Sequence, residues 1–291
     1  MSDREEVREL VSRFPERGEL HTVLDLAARA PSLGNLQPWR WHVDDAAVHL
    51  YADWSRHAGV APDDRRDVLL GCGAVLDHCV SVLAARGWSP RVHRFPDPDD
   101  DSHLAILELI EGPPDGAHAE LAAAIPGRRA DRRRYSAASL EPGTLELMYI
   151  RAARLQVRFN VVPRSRWIRL DDGTVQLQYG HVAAEDPGPP VDDAVLLAVG
   201  TDRDDAGMRL RAGEALSRLL LSAAAMNLAT CPLTEPLNDI RDRLTLACEV
   251  FDAEAYPQAL IRLGVPVGAD PVVRTSRRSV AETTTWALSF G

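Results

Sequence analysis

The chain has 291 residues, of which 45% are hydrophobic and 26% charged, so it can form a full-sized core. Its formal net charge of −10 and pI near 5.4 argue against a general nucleic-acid-binding protein, because neutralising phosphates requires a basic surface. Residues 1–10 contain no apolar signal core, and the apolar stretch at 219–231 is shorter than the roughly 20 residues of a membrane span. These features predict a globular cytoplasmic protein that binds neither nucleic acid nor membrane.

The hydrophobic pattern alternates helices and strands along the chain. The first half is predicted to contain a helix to about Ala30, a strand near 43–52, a helix at about 68–86, a strand at 104–112, and a short helix with a basic run at 113–136. The second half is predicted to contain a helix at Thr144–Ala153, a strand at 157–162, a hairpin-like stretch, a strand at 194–200, a helix at about 210–228, a loop at 230–238, another helix, and a strand at 258–266. The DPGPP run at 186–190 is typical of a linker.

Two apolar helices resemble each other at a constant offset of 140 residues, which pairs Gly73 with Gly213 and Leu76 with Leu216. Such similarity is typical of an internal duplication, although two helices rich in Ala and Leu also resemble each other by chance. Both are apolar on nearly all sides, which predicts buried core helices. The GCGAVL sequence inside the first lacks the third glycine of a dinucleotide-binding fingerprint.

The four cysteines are too few and too scattered to form a disulfide framework in a chain of this length. Cys72 and Cys79 lie seven residues apart with His78 close by, but no second pair of ligands completes a metal site. We therefore expect no metal. The cysteines are predicted to be small buried hydrophobic residues in a reducing compartment.

Three polar stretches stand out. RAPSLGNLQPWRW at 29–41 carries two side-chain amides on a loop stiffened by prolines, while GRRADRRRY at 127–135 and VVRTSRRSVAET at 272–283 carry clustered arginines. A guanidinium group matches phosphate oxygens with two parallel hydrogen bonds, so the arginines predict a site for one small anion. A solvated basic face is the alternative. The amides suit the polar edge of a ring at the other end of the same ligand.

In these stretches the chain resembles the FMN-dependent nitroreductase superfamily, whose members carry a PSxxNxQPW loop and an RRSxR-type basic segment. Here RAPSLGNLQPW precedes GRRADRRRY by about a hundred residues, an order that suits a fused dimer and resembles the double-length, Acg-type branch. The resemblance covers about residues 20–290. It implies an α+β fold of nitroreductase-like mixed and antiparallel sheets sandwiched by helices, with two tandem pseudo-repeats forming an internal pseudo-dimer. The implied halves are 1–117, which supplies the loop, and 118–291, which supplies the phosphate-binding arginines.

The resemblance also implies one FMN site per chain. The implied cofactor-binding residues are Pro31, Ser32, Asn35, Gln37, Arg128, Arg129, Arg132, Pro232, Leu233, Thr234, Arg274, Arg277 and Arg278. The arginines would bind phosphate, the residues of the first loop would face the isoalloxazine ring or ribityl chain, and backbone amides at 232–235 would approach flavin N5. No side chain is expected to be catalytic, because flavin N5 carries the chemistry.

Three departures from the family pattern bear on function. The stretch Pro163–Pro190 is shorter than the segment expected there in the double-length branch, where that segment can cover the flavin. Ala130 stands where the family commonly has Ser or Thr, which removes one hydroxyl from the phosphate site. No candidate is evident for the cation that members place near flavin N1 and O2.

The family resemblance leads to two functions. The first is an oxidoreductase in which NAD(P)H reduces FMN, and a small-molecule acceptor, nitroaromatic or quinone, takes the electrons. The second is a flavoprotein with little or no turnover that sequesters FMN or senses redox state, which the missing cation favours. An ordinary globular domain without flavin is a third possibility. Because a fused dimer has already satisfied its interface, a monomer or weak homodimer is expected.

Overall fold

A computed structural model gives the structure of residues 14–57, 64–136, 140–141, 143–178, 192–268 and 272–287. The acidic N-terminus at 1–10 and the predicted linker at 186–190 lie outside these residues. The helices are α1 (Arg17–Ala27), α2 (Asp64–Ala85), α3 (Gly116–Ala124), α4 (Thr144–Ala153), α5 (Ala206–Ala225), α6 (Ile240–Phe251) and α7 (Val280–Thr283). The strands are β1 (Trp39–Asp44), β2 (Ala47–Ala52), β3 (Trp88–Arg94), β4 (His103–Glu111), β5 (Tyr135–Ser136), β6 (Arg158–Val161), β7 (Trp167–Arg169), β8 (Val175–Leu177), β9 (Val195–Thr201), β10 (Ala229–Leu233), β11 (Tyr256–Pro266) and β12 (Thr284–Ala287).

Aspartate side chains begin three of the helices. Asp115 accepts hydrogen bonds from two backbone amides in the first turn of α3, and Asp205 and Asp239 cap α5 and α6 in the same way. Each carboxylate satisfies amides that have no partner within the helix, and its charge opposes the positive end of the helix dipole. The helix that follows β9 therefore begins at Ala206, four residues earlier than the apolar pattern predicts.

The first sheet has the strand order β12-β1-β2-β4-β3. All its pairs are antiparallel except β12 with β1, where Trp41 lies opposite Thr284 in a parallel register. Burial alternates along β1, so that Trp39 and Trp41 are buried while Arg40 between them is exposed. This period of two places one face of the sheet on the core. That core also contains the apolar faces of α1 and α2.

The second sheet is antiparallel, with the order β10-β11-β9-β6, and β5 adds to the end of β11. Its central strands, β9 and β11, are buried along almost their whole length. Near-continuous burial is expected of strands covered on both faces. The apolar face of α5 packs with these strands in a further core cluster.

Helices α2 and α5 cross at two glycines. A Cβ atom built on Gly73 would lie 2.0 Å from the carbonyl oxygen of Leu210, and one built on Gly213 would lie 2.2 Å from that of Leu70. No other residue fits either position, because real Cβ contacts essentially never fall below 3.0 Å. The two contacts are reciprocal, because the offset of 140 residues relates Gly73 to Gly213 and Leu70 to Leu210.

The fold is α+β, with mixed and antiparallel sheets and packed helices, as the sequence predicts. Four local predictions differ. The strand expected near 43–52 is the hairpin β1–β2, β3 precedes β4 without having been predicted, part of the predicted loop at 230–238 is β10, and β12 follows α7. Strands β3 and β10 each contain a proline. Because proline is depleted in strand interiors, the sequence pattern did not predict these two strands.

Three of the four cysteines are buried, as the sequence predicts. These are Cys72, Cys79 and Cys231, whereas Cys248 is exposed on α6. The longest apolar helix is α2 rather than the stretch at 219–231. The segment Arg65–Ala85 of α2 is long and apolar enough to cross a membrane. However, 89% of its most apolar stretch is buried inside the protein, as in the core helix of a folded domain. Among the described residues, no group of three or more His, Cys, Asp or Glu residues could hold a metal ion.

Candidate functional site

A cavity of about 420 Å³ opens where the three polar stretches of the sequence meet. Its walls come from the loop after α1, the segment after α3, the end of β10 and the segment before α7. The lining residues are Arg29, Pro31, Ser32, Leu33, Gly34, Asn35, Arg128, Arg129, Ala130, Arg132, Pro232, Glu235, Val272, Val273, Arg274, Thr275 and Arg277. Nine of the residues predicted to bind the cofactor therefore surround one space.

The loop after α1 has a tightly curled backbone. Gly34, Asn35 and Gln37 have φ values of 53°, 58° and 52°, in the left-handed region where glycine and asparagine are favoured. The hydroxyl of Ser32 accepts a hydrogen bond from the backbone amide of Gln37 at 2.9 Å, and the Gln37 side chain donates to the carbonyl of Asn35 at 3.1 Å. These bonds pre-form the loop and leave Pro31, Ser32 and Asn35 along the cavity wall.

The same loop holds the segment before α7. The side chain of Asn35 donates to the carbonyl of Ser276 at 3.0 Å, and the side-chain oxygen of Gln37 accepts from the backbone amide of Arg278 at 2.8 Å. Gln37 is 5% exposed and does not line the cavity, and Arg278 donates to the Gln37 carbonyl at 3.2 Å. Gln37 and Arg278, both predicted to contact the cofactor, instead join two chain segments to each other.

The basic run after α3 is tied to the second sheet. The backbone amide of Asp131 donates to the carbonyl of Thr230 at 2.8 Å, and Ala130 forms a parallel bridge with the same residue. Arg133 pairs with Asp131 at 2.7 Å and is turned to that carboxylate, while Arg132 pairs with Glu235 at 3.2 Å. Arg132 and Arg133, although clustered with the other arginines of this run, are thus each paired with a carboxylate of the protein.

Arg128 is the most deeply buried of the arginines lining the cavity, at 5% exposure. One nitrogen donates to the carbonyl of Arg29 at 3.1 Å, whereas Nε and Nη1 have no partner among the described residues. Burial, then Arg277 and Arg129, lower the pKa of Arg128 to about 10. The pKa values of Arg129 and Arg277 are also lowered, first by burial and then by neighbouring arginines. Cationic groups that disfavour each other's charge and retain unused donors are suited to bind an anion.

A smaller cavity of about 60 Å³ adjoins the first and shares Pro31, Ser32, Leu33 and Pro232 with it. Its remaining lining residues are Asp67, Leu70, Gly71, Leu216 and Thr234. The hydroxyl oxygen of Thr234 is buried there without a hydrogen-bond partner among the described residues. It could bind a polar atom of a ligand.

The predicted backbone donors at 232–235 are only partly available. Pro232 has no N–H, and the backbone amide of Thr234 donates to the Glu235 carboxylate at 3.1 Å. Leu233 is 1% exposed in the core of the second sheet and lines neither cavity. The side chains of Pro232 and Thr234 line these cavities, but donation by the Thr234 backbone amide to a ligand requires that amide to leave Glu235.

A buried polar network lies on α2 and α5. The Nδ1 atom of His78 and the hydroxyl of Ser217 are 2.8 Å apart, and that hydroxyl donates to Asp77 at 2.7 Å. Arg218 also donates to Asp77, at 3.0 Å. Burial, followed by the charges of Arg128 and Arg277, lowers the pKa of His78 well below its ordinary value. The imidazole is therefore neutral at physiological pH.

Arg29 was not predicted as a site residue, although it lies two residues before the PSxxNxQPW pattern. Its carbonyl accepts hydrogen bonds from both Arg128 and Arg277, at 3.1 and 3.4 Å, and its side chain lines the cavity. Position next to the motif was the available signal. The seven other lining residues that were not predicted are Leu33, Gly34, Ala130, Glu235, Val272, Val273 and Thr275, and all except Glu235 lie inside the three polar stretches.

No protein-family model matches the chain. A protein of Mycobacterium tuberculosis H37Rv named as a candidate NAD(P)H nitroreductase, Rv3131, is 39% identical over 94% of this chain and 93% of its own length. A second candidate NAD(P)H nitroreductase of the same strain, acg, is 30% identical over 90% of this chain and 94% of its own. A solved nitroreductase structure from Anabaena variabilis covers 87% of this chain and 90% of its own at 11% identity and a TM-score of 0.49. One with bound FMN from Bacteroides fragilis covers 54% of this chain and 95% of its own at 16% identity and a TM-score of 0.39. Because a relative of 39% identity spans nearly its whole length, the chain belongs to the NAD(P)H nitroreductase family, alongside the Acg protein.

Proposed function

We propose that this protein is an FMN-dependent NAD(P)H oxidoreductase that reduces small nitroaromatic or quinone acceptors, with one flavin per chain. The observation that carries the proposal is Arg128, a buried cation with two unused donor nitrogens in a cavity lined by further arginines. The name shared by two relatives, NAD(P)H nitroreductase, supports the reaction class. FMN bound to a solved nitroreductase is consistent with the choice of cofactor.

The residues present fit the phosphate of FMN. Arg128 and Arg277 would bind it from the inner wall of the cavity, while Arg129, Arg132 and Arg274 lie further along the same wall. Each charge-assisted hydrogen bond contributes roughly 1.5–3 kcal/mol, so two or three would hold the phosphate firmly. The phosphate would also relieve the mutual repulsion of the arginines, which strengthens binding further.

The loop after α1 would position the other end of the cofactor. Pro31, Ser32 and Asn35 line the cavity, and the smaller adjoining cavity leads from them to Leu216 and Thr234. FMN bound in this way would supply a centre that accepts a hydride from NAD(P)H and passes two electrons to the acceptor. The protein would bind and orient it, without a catalytic acid or base of its own.

A second candidate function is a flavoprotein that sequesters FMN or senses redox state with little turnover. The observation that favours it is Asp67, which is 8% exposed and lines the small cavity beside the site. Asp67 pairs with Arg66 at 3.8 Å, but Arg66 lines neither cavity, so the carboxylate facing the site would disfavour additional negative charge on a reduced flavin, because like charges repel strongly where water is excluded. None of the residues lining that small cavity is an arginine or lysine.

We further infer that the chain is a fused pseudo-dimer of halves 1–117 and 118–291 that arose by gene duplication. The reciprocal contacts of Gly73 and Gly213 support this. If a two-fold axis relates the halves, a contact of Gly73 with Leu210 requires the equivalent contact of Gly213 with Leu70. Such a chain has already buried its dimer interface. It would therefore act in the cytoplasm as a monomer or weak homodimer.

The first experiment is a titration of the protein with FMN, followed by flavin fluorescence, in the wild type and in Arg128→Gln. The substitution removes the buried charge and should raise the dissociation constant for FMN roughly 10- to 100-fold, which corresponds to the loss of about one charge-assisted bond. It should leave the unliganded protein no less stable, because it also removes the repulsion. Arg86→Gln, on an exposed residue in a separate groove, is the matched control.

NADPH added without oxygen to the loaded protein then separates the two functions. Rapid bleaching of flavin absorbance supports the oxidoreductase, and tight binding without bleaching supports sequestration. Failure of the wild type to take up FMN would overturn both.

A further inference from the structure

The cavity carries more positive charge than one FMN phosphate neutralises. Among the described residues, the five arginines Arg29, Arg128, Arg129, Arg274 and Arg277 line it without forming an ion pair with any carboxylate. A sixth lining arginine, at position 132, is matched by Glu235 at 3.2 Å. A phosphate monoester carries about −1.5 to −2 charges at neutral pH. Roughly three positive charges therefore remain after FMN is bound.

The arginines extend in depth from the interior to the mouth of the cavity. Arg128 is buried, Arg129 and Arg277 are partly buried, and Arg274 is exposed. Arg277 donates a hydrogen bond from Nη1 to the hydroxyl of Thr275 at 2.5 Å and another to the carbonyl of Arg29. Arg274 makes no hydrogen bond among the described residues, so its whole guanidinium group is available to a ligand at the mouth.

Arg129 connects the inner and outer groups. After burial, Arg274 and Arg29 are the causes of its lowered pKa, and Arg129 in turn contributes to the lowered pKa values of Arg128 and Arg277. Its one hydrogen bond, from Nη1 to the Arg128 carbonyl at 2.6 Å, leaves its other nitrogens available. Two guanidinium groups that repel each other at a cavity mouth, both with free donors, are suited to share one doubly charged anion.

We infer that Arg129 and Arg274 form a second phosphate-monoester subsite beside the FMN phosphate, and that it takes the 2′-phosphate of NADPH. The inference rests on the proposed function, in which a nicotinamide dinucleotide enters the same cavity. A monoester concentrates about two charges on one group, whereas each phosphorus of the dinucleotide diphosphate carries one. NADPH has such a monoester and NADH lacks it, so the surplus charge distinguishes the two donors.

Calorimetry on the FMN-loaded protein tests the subsite without requiring turnover. Adenosine 2′,5′-bisphosphate and 5′-AMP differ only in the 2′-phosphate. At FMN concentrations that keep every protein saturated with flavin, the wild type should bind the bisphosphate at least tenfold more tightly, and Arg274→Gln should abolish the difference. Arg86→Gln should retain it.

Each other outcome has a distinct meaning. Equal binding of the two nucleotides by the loaded wild type, or an unchanged preference in Arg274→Gln, overturns the subsite and leaves the proposed function intact. Inorganic phosphate that binds the loaded protein as tightly as the bisphosphate assigns the subsite to free phosphate and overturns the assignment to the donor. Failure of FMN to load overturns the proposed function and the subsite together.

Discussion

At the scale of single residues, the site depends on charges that the unliganded protein does not compensate. Burial and the neighbouring arginines lower the pKa of Arg128 from its ordinary value to about 10, which corresponds to roughly 3 kcal/mol of unfavourable free energy in the folded state. A base with a lowered pKa carries this penalty at every pH below the folded value, so the penalty is fully present at neutral pH. An anion that raises the pKa again recovers it as binding free energy.

Burial and neighbouring positive charges also disfavour the charged form of His78 and lower its pKa. Its ring is fully buried, is linked through Ser217 to Asp77, and faces the charges of Arg128 and Arg277. The folded protein therefore keeps His78 neutral at a pH where the unfolded chain protonates it. The unfolded state binds the extra proton, so stability is lost as the pH falls below about 6.5.

We expect the free energy of unfolding to fall between pH 6.5 and pH 5 by up to about 1.4 kcal/mol per pH unit from this group. Replacement of His78 by Gln should reduce that slope, as measured by urea unfolding at a series of pH values. His103, whose pKa is also lowered, contributes equally to both proteins and cancels in the comparison. The exposed His21 serves as control in His21→Gln. An identical slope in wild type and His78→Gln would show that the ring is protonated in the folded state.

At the scale of elements, the crossing of α2 and α5 sets the distance between the walls of the site. Leu70 and Gly71 of α2 and Leu216 of α5 line the smaller cavity, and Gly73 and Gly213 let the two helices approach closely. The loop after α1 is also tied to this region, because the thiol of Cys72 donates to the carbonyl of Pro38 at 3.1 Å. A change in the crossing would therefore alter the site.

Gly73→Ala should lower the free energy of unfolding by about 3 kcal/mol, because its methyl group would collide with backbone rather than with a side chain that can rotate. It should also weaken FMN binding, since the helices must separate. The control is Gly18→Ala in α1, where nothing lies within 4 Å of the added Cβ. That substitution should leave stability unchanged or raise it by about 0.5 kcal/mol, because alanine favours helix. Both free energies come from urea unfolding. A Gly73→Ala protein as stable as the wild type contradicts the close crossing.

At the scale of the whole molecule, residues far apart in the sequence form one cavity. Asn35 and Ser276 are hydrogen-bonded across 241 residues, and β12 completes the first sheet by pairing with β1. An acidic chain thus brings six arginines together at one cavity, where segments from both ends of the sequence meet. We therefore propose that no second subunit is needed to complete this cavity.

The binding stoichiometry should therefore be one FMN per chain at every protein concentration. Titration at concentrations well above the dissociation constant measures the ratio, and sedimentation equilibrium on the same samples measures the mass. A ratio that follows dimer formation, or half a flavin per chain, would mean that a second copy contributes to the site. A ratio of two would mean that the second half keeps a site of its own.

Local structure was predictable wherever one short segment decides it. Helix α4 occupies the predicted span Thr144–Ala153, because its apolar positions recur with a helical period and proline and glycine lie just before it. The three polar stretches were recognisable because clustered arginines and paired amides have few structural uses. They do meet at one cavity.

The sequence by itself determined the fold class, the family resemblance, the apolar core helices and nine of the residues that line the cavity. Only the tertiary structure decided how each residue is used. Gln37 and Arg278 join two segments, Leu233 packs in the core, and Arg29 lines the cavity beside the motif. The physical reason is that a residue type limits the bonds that a side chain can make, whereas the partners that long-range folding brings within 3 Å decide which of those bonds form.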